Sequence, residues 1–254
     1  MEIKAIVCDV DKTLTNDQIV LNLHAVDAIR CLEAAGLPVI LVTARDYLTA
    51  GQLAMFMGTC GIVAAENGAV IWSMRGNQQP FLTGKRGRVR RGLKALSESL
   101  GDNLTIFPTP GRLCSAVVLR TFDLEQGMSI LRESKVKARL LDSSLAYHLV
   151  DQDTGKGRGV REVAKLLDID AENIVAIGDN LNDLEMFEAA GYSICVGNAP
   201  QEVKDLVDFS CKASFGEGFI EGVTHALQNF HSHGISELPQ DFYYRADTNE
   251  KRSI

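Results

Sequence analysis

The chain has no surplus of positive charge, no long apolar run and no paired cysteines, and each absence closes off a class of function. Its 254 residues carry 26 Lys and Arg against 33 Asp and Glu, a formal net charge of −7, and the sequence pI is about 5.3. That balance argues against nucleic acid as the main partner. No stretch approaches the ~20 consecutive apolar residues that a membrane-spanning helix needs, so no membrane partner is expected. No basic region with a signal-type apolar segment precedes the first apolar run. The six cysteines, Cys8, Cys31, Cys60, Cys114, Cys195 and Cys211, are scattered without a C-x-x-C pair, which removes a disulfide framework and metal-type spacing. Small buried thiols in a reducing, cytoplasmic setting are the expectation. Histidine and cysteine form no zinc-type cluster, and the sequence contains no repeats and no low-complexity segment.

What remains is 46% hydrophobic, enough for one large core or a core with a small accessory domain. Short apolar runs alternate with helical periods. Residues 3–8 read as a buried parallel strand, and 23–35 as a helix with Val26, Ile29 and Leu32 at helical spacing, closed by Gly36. A strand over 38–42, a helix over 47–57 and a strand over 62–65 follow; 69–72 opens a hairpin with Gly76 and Asn77 near its turn. The pattern then changes to a helix (89–100), a strand (114–120), a helix (124–134) and two strands (136–141 and 146–150) joined around Asp142, Ser143 and Ser144. Alternation resumes with a helix at 159–167, a strand at 174–177, a helix at 184–190, a strand at 192–196 and a last helix at 218–230.

This order predicts an α/β fold with a doubly wound parallel sheet of the Rossmann type, interrupted by an inserted small α+β module. The expected division is a discontinuous core of residues 1–83 and 153–230, a cap of residues 84–152 and a polar tail of residues 231–254. The basic stretch 85–91 reads as a solvated helix start or as an electropositive rim that steers an anionic substrate. In the tail, where local disorder or loose packing is expected, Phe242, Tyr243 and Tyr244 are candidates for docking on a partner subunit. A homodimer through cap or core is compatible with the sequence.

The chemistry concentrates in four places. Asp9 and Asp11, with Thr13 beside them, follow the first strand. Thr43 follows the second, and Gly178 leads the strand at 174–177 into Asp179, Asn180, Asn182 and Asp183. Lys156 stands where the insertion returns to the core. Taken singly, these are an Asx-rich turn, a helix N-cap, a loop lysine and a Gly-Asp-Asn turn. Taken in this order on parallel neighbouring strands, they face one crevice beyond the carboxyl ends of the sheet. Asp9, Asp179 and Asp183 offer hard oxygen ligands suited to Mg²⁺. A metal, a lysine and a threonine hydroxyl together would bind and neutralise a phosphoryl group, and a carboxylate that attacks it splits the reaction into two easier displacements.

Asp9-Val10-Asp11-Lys12-Thr13, Thr43, Lys156 and Gly178-Asp179-x-x-x-Asp183 resemble the four motifs of haloacid dehalogenase-like (HAD) phosphatases, in the right order over residues 1–230. The resemblance implies that Asp9 is the nucleophile that forms an aspartyl phosphate. Asp11 would protonate the leaving alcohol and later deprotonate water. Thr43, Lys156 and Asn182 would contact the phosphoryl oxygens. Asp9, the backbone carbonyl of Asp11 and Asp179 would bind Mg²⁺, with Asp183 alongside, directly or through water. Within the branch that carries a cap between the second and third motifs, the chain is similar to archaeal-type phosphoglycolate phosphatases, on the stretches 65–68, 178–188, 190–192 and 196–199.

Three departures stand out: Lys12 where glycine is usual, Ala44-Arg45 after Thr43, and a longer tail. The reading that follows is a Mg²⁺-dependent phosphatase of a small phosphorylated metabolite, 2-phosphoglycolate first. The alternatives are a broader sugar-phosphate phosphatase or phosphosugar mutase and, in another class, a non-catalytic phospho-binding protein. Asp11 discriminates against the last, since a mere phospho-acceptor needs no acid two residues from its nucleophile. Substrate choice is expected in the cap, where Arg112, Arg120, Tyr147 and His148 are possible contacts, and cap movement is expected to hinge at residues 83–84 and 153–155.

Overall fold

The computed structural model describes residues 1–76, 79–143 and 145–232. From the N-terminus come β1 (Glu2–Ile3), β2 (Ala5–Cys8), α1 (Leu23–Ala34), β3 (Val39–Val42), α2 (Tyr47–Met57), β4 (Ile62–Ala65), β5 (Val70–Ser73) and β6 (Phe81–Leu82). The insertion contributes α3 (Arg86–Leu100), β7 (Ile106–Phe107), β8 (Ser115–Val118), α4 (Leu124–Glu133), β9 (Ala138–Asp142) and β10 (Tyr147–Asp151). The chain returns through α5 (Lys156–Leu167), β11 (Ile174–Gly178), α6 (Leu184–Ala189), β12 (Tyr192–Cys195), α7 (Gln201–Lys204), β13 (Phe209–Ser210), α8 (Phe215–Asn229) and β14 (His231–Ser232).

The large sheet runs β13-β12-β11-β2-β3-β4-β5-β6. It is parallel as far as β4 and antiparallel at β5 and β6. Its central strand, β2, is buried on both faces, which is why it reads as an unbroken apolar run. Alternation still sorts its side chains. Ile6 and Cys8 join the layer formed with α1, α2 and α8, whereas Ala5 and Val7 join the layer formed with α5 and α6. Two segments far apart in sequence thus share one sheet, and the carboxyl ends of β2, β3 and β11 are brought to the same edge.

The insertion forms its own antiparallel sheet, β7-β8-β10-β9. Helices α3 and α4 cover one face through Leu96, Leu131, Val118, Tyr147 and Leu149. His148, between two residues of that cluster, is paired in register with Val117 and Leu141 and therefore belongs to the opposite face. Among the described residues, no helix is long and apolar enough to cross a membrane.

Several local expectations change. The first apolar run is interrupted at Lys4, whose N–H bonds Asn173 O at 2.8 Å, while β1 pairs in parallel with β14. The first two residues of the polar tail are therefore held by backbone pairing, which needs no apolar side chain. Strands β7 and β13 and helix α7 span only two, two and four residues, too short to leave a periodic signal. The turn residue Asn77, the linker residue Ser144 and the tail aromatics Phe242, Tyr243 and Tyr244 lie outside the described residues.

The two crossings between the sheets are tied at Asp151. Its carboxylate accepts from Lys85 N at 2.8 Å and from Arg88 Nη1 at 2.6 Å, and the same Arg88 nitrogen reaches Asp153. Beside this crossing, Glu66, Asn67 and Gly68 all take left-handed φ values of 53°, 56° and 78°. At Gly68 an added Cβ would lie 2.3 Å from Gly155 O and 2.9 Å from Gly159 N. Here glycine is required twice, for its φ and for the closeness of α5. Gly68→Ala is expected to lower stability by about 1–3 kcal/mol, the scale of overpacking a tight contact. The measurement is urea denaturation, in which the midpoint should fall with the slope unchanged; a wild-type midpoint would mean that α5 does not need this approach.

Candidate active site

Asp9 leaves the end of β2 with its backbone fixed by a 3.0 Å bond from its N–H to Ile177 O. Lys156 is the first residue of α5, and its ammonium donates to Asp9 Oδ1 at 2.6 Å and to Asp183 Oδ1 at 2.5 Å. Asp183 Oδ2 accepts the N–H groups of Asp179 and Asn180, both at 3.1 Å, which closes a capping box around the turn after β11. Thr13 Oγ1 donates to Asp179 Oδ1 at 3.1 Å. Asp9, Asp179, Asp183 and Lys156, which the sequence placed in one crevice, are therefore in direct or one-residue contact.

Three carboxylates, those of Asp9, Asp179 and Asp183, come within 4.8 Å of one another and all are buried, against the one ammonium of Lys156. Burial pushes the Asp9 carboxyl above the usual carboxylate range, and Asp183 adds to this against the opposing pull of Lys156. Burial, Asp183 and Asp9 push Asp179 up as well. For Lys156, burial alone would lower its pKa, but the charges of Asp183 and Asp9 outweigh it and the ammonium is held more tightly than normal. The cluster is thus short of positive charge, and its donor set is all oxygen. It fits a hard divalent cation. Asp183 already serves Lys156 and two backbone N–H groups, so the oxygens with most capacity left are on Asp9 and Asp179.

Asp11 takes a different partner. Arg45 Nε donates to its Oδ2 at 2.9 Å and Nη2 to its Oδ1 at 2.6 Å, a bidentate fork. The Asp11 hydrogen bond comes first among the causes that raise the Arg45 pKa. Thr43 is fully buried at the end of β3 and its Oγ1 accepts from Arg45 N at 3.2 Å. Lys12, in the position where glycine is usual, has φ 65°; the left-handed backbone is the reason glycine suits that place. The loop is held by Lys12 N to Thr15 Oγ1 at 3.0 Å and by Asn198 Nδ2 to Lys12 O at 3.0 Å.

A cavity of about 450 Å³ lies over these groups. Asp9, Asp11, Lys12, Arg45, Asp179 and Asn182 line it from the core, while Thr43 and Lys156 are not among its lining residues. From the cap come Phe107, Val117, Leu119 and Leu145, with Arg112 and His148. Of the four cap residues raised as contacts, Tyr147 instead faces the cap core, its hydroxyl donating to Phe122 O at 3.2 Å. Arg120 lies over the Tyr147 ring and pairs with Asp142 at 3.1 Å. None of residues 85–91 lines the cavity.

Two residues that sequence reasoning quoted without a role prove to organise the site. Arg45 grips Asp11. Glu66, fully buried, reaches from the core to the cap and accepts from Leu113 N at 2.7 Å, Cys114 N at 2.9 Å and Ser115 Oγ at 2.6 Å. An acidic residue directly after an apolar run and before Asn67-Gly68 is the sequence signal for it.

Comparison with known proteins agrees with this geometry. The family model described as haloacid dehalogenase-like hydrolase matches residues 6–82 and 125–221. The phosphoglycolate phosphatase of Methanosarcina mazei is 34% identical over 229 residues, 90% of this chain and 99% of that protein. The crystal structure of protein 0175 of Thermoplasma acidophilum superposes with a TM-score of 0.79 at 24% identity, over 89% of this chain and 98% of the other. The sucrose-phosphatase of Synechocystis sp. PCC6803, solved with sucrose and phosphate, gives 0.67 at 18% identity, over 89% and 98%. Likeness at these structural identities carries the fold; the family match and the 34% relative carry membership. With its buried aspartates at the ends of β2 and β11 and its inserted antiparallel cap, the chain belongs to the haloacid dehalogenase-like hydrolases.

Proposed function

We propose that this chain is a Mg²⁺-dependent phosphatase of a small phosphorylated metabolite, with 2-phosphoglycolate, hydrolysed to glycolate and phosphate, as the leading substrate. The observation that carries the reading is the buried Asp9, held by Lys156, at the floor of a cavity with Asp11 two residues away. The named substrate draws on the phosphoglycolate phosphatase relative. A sugar phosphate is the second reading, because a cavity of about 450 Å³ is roomy for a two-carbon leaving group. The six free thiols suit a cytoplasmic setting.

In this mechanism an oxygen of Asp9 attacks phosphorus, the bond from phosphorus to the ester oxygen breaks, and Asp11 gives its proton to the departing alcohol. An aspartyl phosphate remains. Water then attacks the same phosphorus, Asp11 takes the water proton, and phosphate leaves with Asp9 restored. Lys156 holds Asp9 in place and neutralises charge beside it, while Asn182, and Thr43 once its buried hydroxyl is uncovered, contact phosphoryl oxygens. Asp9, Asp179 and the backbone carbonyl of Asp11 would hold Mg²⁺, with Asp183 alongside, directly or through water. When bound, the ion neutralises charge that grows on the transferring group. In the structure, Arg45 donates to both Asp11 oxygens, which leaves a lone pair on each for the transferred proton.

Asp9→Asn is expected to lower phosphate release by about 10³-fold or more, the scale of losing a nucleophile, with an unchanged circular dichroism spectrum; substantial residual turnover would remove the covalent route. Asp11→Asn should slow hydrolysis by about 10²–10⁴-fold, the range of general acid–base catalysis. Intact mass after acid quench should then show one added phosphoryl group, and turnover equal to wild type would take Asp11 out of the proton-transfer role. Phosphate release from a panel of phosphorylated metabolites should be abolished by EDTA and restored by Mg²⁺, with 2-phosphoglycolate preferred over sugar phosphates. Activity spread evenly over the panel would sink the named substrate, and activity that survives EDTA would sink the metal.

A further inference from the structure

The cavity has two unlike walls. The core wall holds the carboxylates and Lys12, and the cap wall is largely apolar, through Phe107, Val117, Leu119 and Leu145. Arg112 and His148 interrupt it. Arg112 donates from Nη2 to Ala44 O and from Nη1 to Ser115 Oγ, both at 2.8 Å. Its Nε is buried and has no hydrogen-bond partner among the described residues. Nor does Arg112 form an ion pair there with any described carboxylate. Nearby, His148 is 7% exposed. Its Nε2 lies 3.2 Å from Ser143 Oγ, and its Nδ1 is buried without a partner.

A guanidinium that lines a cavity with no carboxylate partner among the described residues, and with N–H capacity beyond its two hydrogen bonds, is suited to an incoming anion. We propose that Arg112 is the specificity residue of this enzyme, and that it takes the carboxylate of the substrate's leaving group while the phosphoryl group sits against Asp9. This rests on the phosphatase reading above and names the residue that selects among phosphate esters. The loop carrying Arg112 is set in advance, since Glu66 fixes Leu113, Cys114 and Ser115 from the core. Burial, with the charge of Arg112, pushes His148 down to about 3. The ring is neutral and does not compete with Arg112 for the anion.

The test compares kcat/KM for 2-phosphoglycolate with that for ethyl phosphate, which has a leaving group of the same length without the carboxylate. The wild-type chain should prefer 2-phosphoglycolate. Arg112→Gln should lose roughly 10- to 100-fold on it, mainly through KM, as expected for a hydrogen bond to a charged group, and far less on ethyl phosphate. Arg112→Lys should recover part of the preference. Turnover of ethyl phosphate also reports that the variant is folded. Equal fractional losses on both esters would assign Arg112 to holding the cap alone and overturn the proposal. A wild-type ratio near one would overturn it too, while leaving the phosphatase reading intact. Failure on both esters with sugar phosphates still hydrolysed would overturn the proposal alone, and failure on every phosphate ester would end both.

Discussion

One ammonium group, Lys156 Nζ, holds the reactive end of this molecule together. It is 1% exposed and joins Asp9, 147 residues before it in sequence, to Asp183, 27 residues after it. A buried ion of either sign is unfavourable alone; here each is tolerable because the others are present. That demand fixes how closely the start of α5 must come to the ends of β2 and β11. Small residues make the approach feasible. A Cβ at Gly157 would lie 2.1 Å from Glu185 O, and one at Gly68 would lie 2.3 Å from Gly155 O. The glycines around 155–159 are therefore part of the site, although none of them carries a functional group.

The cap is attached by contacts that leave this network alone. Glu66 grips residues 113–115, Arg112 bonds Ala44 O, and Arg139 spans to Glu185 and to Thr154 O. Opening the cap through the crossings at 83–84 and 153–155 would break these and still keep Lys156 between Asp9 and Asp183. Under the proposed function, phosphoryl chemistry and leaving-group selection then fall to separable sets of interactions, one in the buried core and one at the cap–core boundary. Lids of this kind can vary their inner face without disturbing the groups that react.

Much of this was legible in the sequence because it is carried by periodicity and by motif order. The unbroken apolar run before Asp9 marks a strand buried on both faces, and the return of βα alternation after residue 153 marks a split sheet. Asp9, Asp179, Asp183 and Lys156 could be grouped because parallel strands bring their carboxyl ends to one edge. The remainder depends on distance across the fold. That Asp11 pairs with Arg45, 34 residues on, follows from the neighbouring positions of β2 and β3, yet nothing local distinguishes that arginine from others near it. Glu66 reads as a turn residue until the cap loop is placed over it. Tyr147 and His148 look alike as candidates, and only the register of β10 against β8 sends one into the cap core and the other toward the cavity.

The fork between Arg45 and Asp11 sets a condition on the chemistry that the motif alone does not contain. In the proposed reaction Asp11 must first give a proton and then take one; Arg45 engages one lone pair on each of its oxygens and leaves the other for the reacting group. Arg45 lines the cavity together with Asp11, so an anionic substrate entering from the cap side meets the guanidinium as well as the carboxylate. Arg45 has five N–H donors in a rigid plane. Nε and one N–H of Nη2 form the edge that holds Asp11, so both Nη1 N–H groups and the second on Nη2 stay available to that anion. An arginine two residues after Thr43 thus fixes Asp11 and still offers donors to the cavity that both residues line.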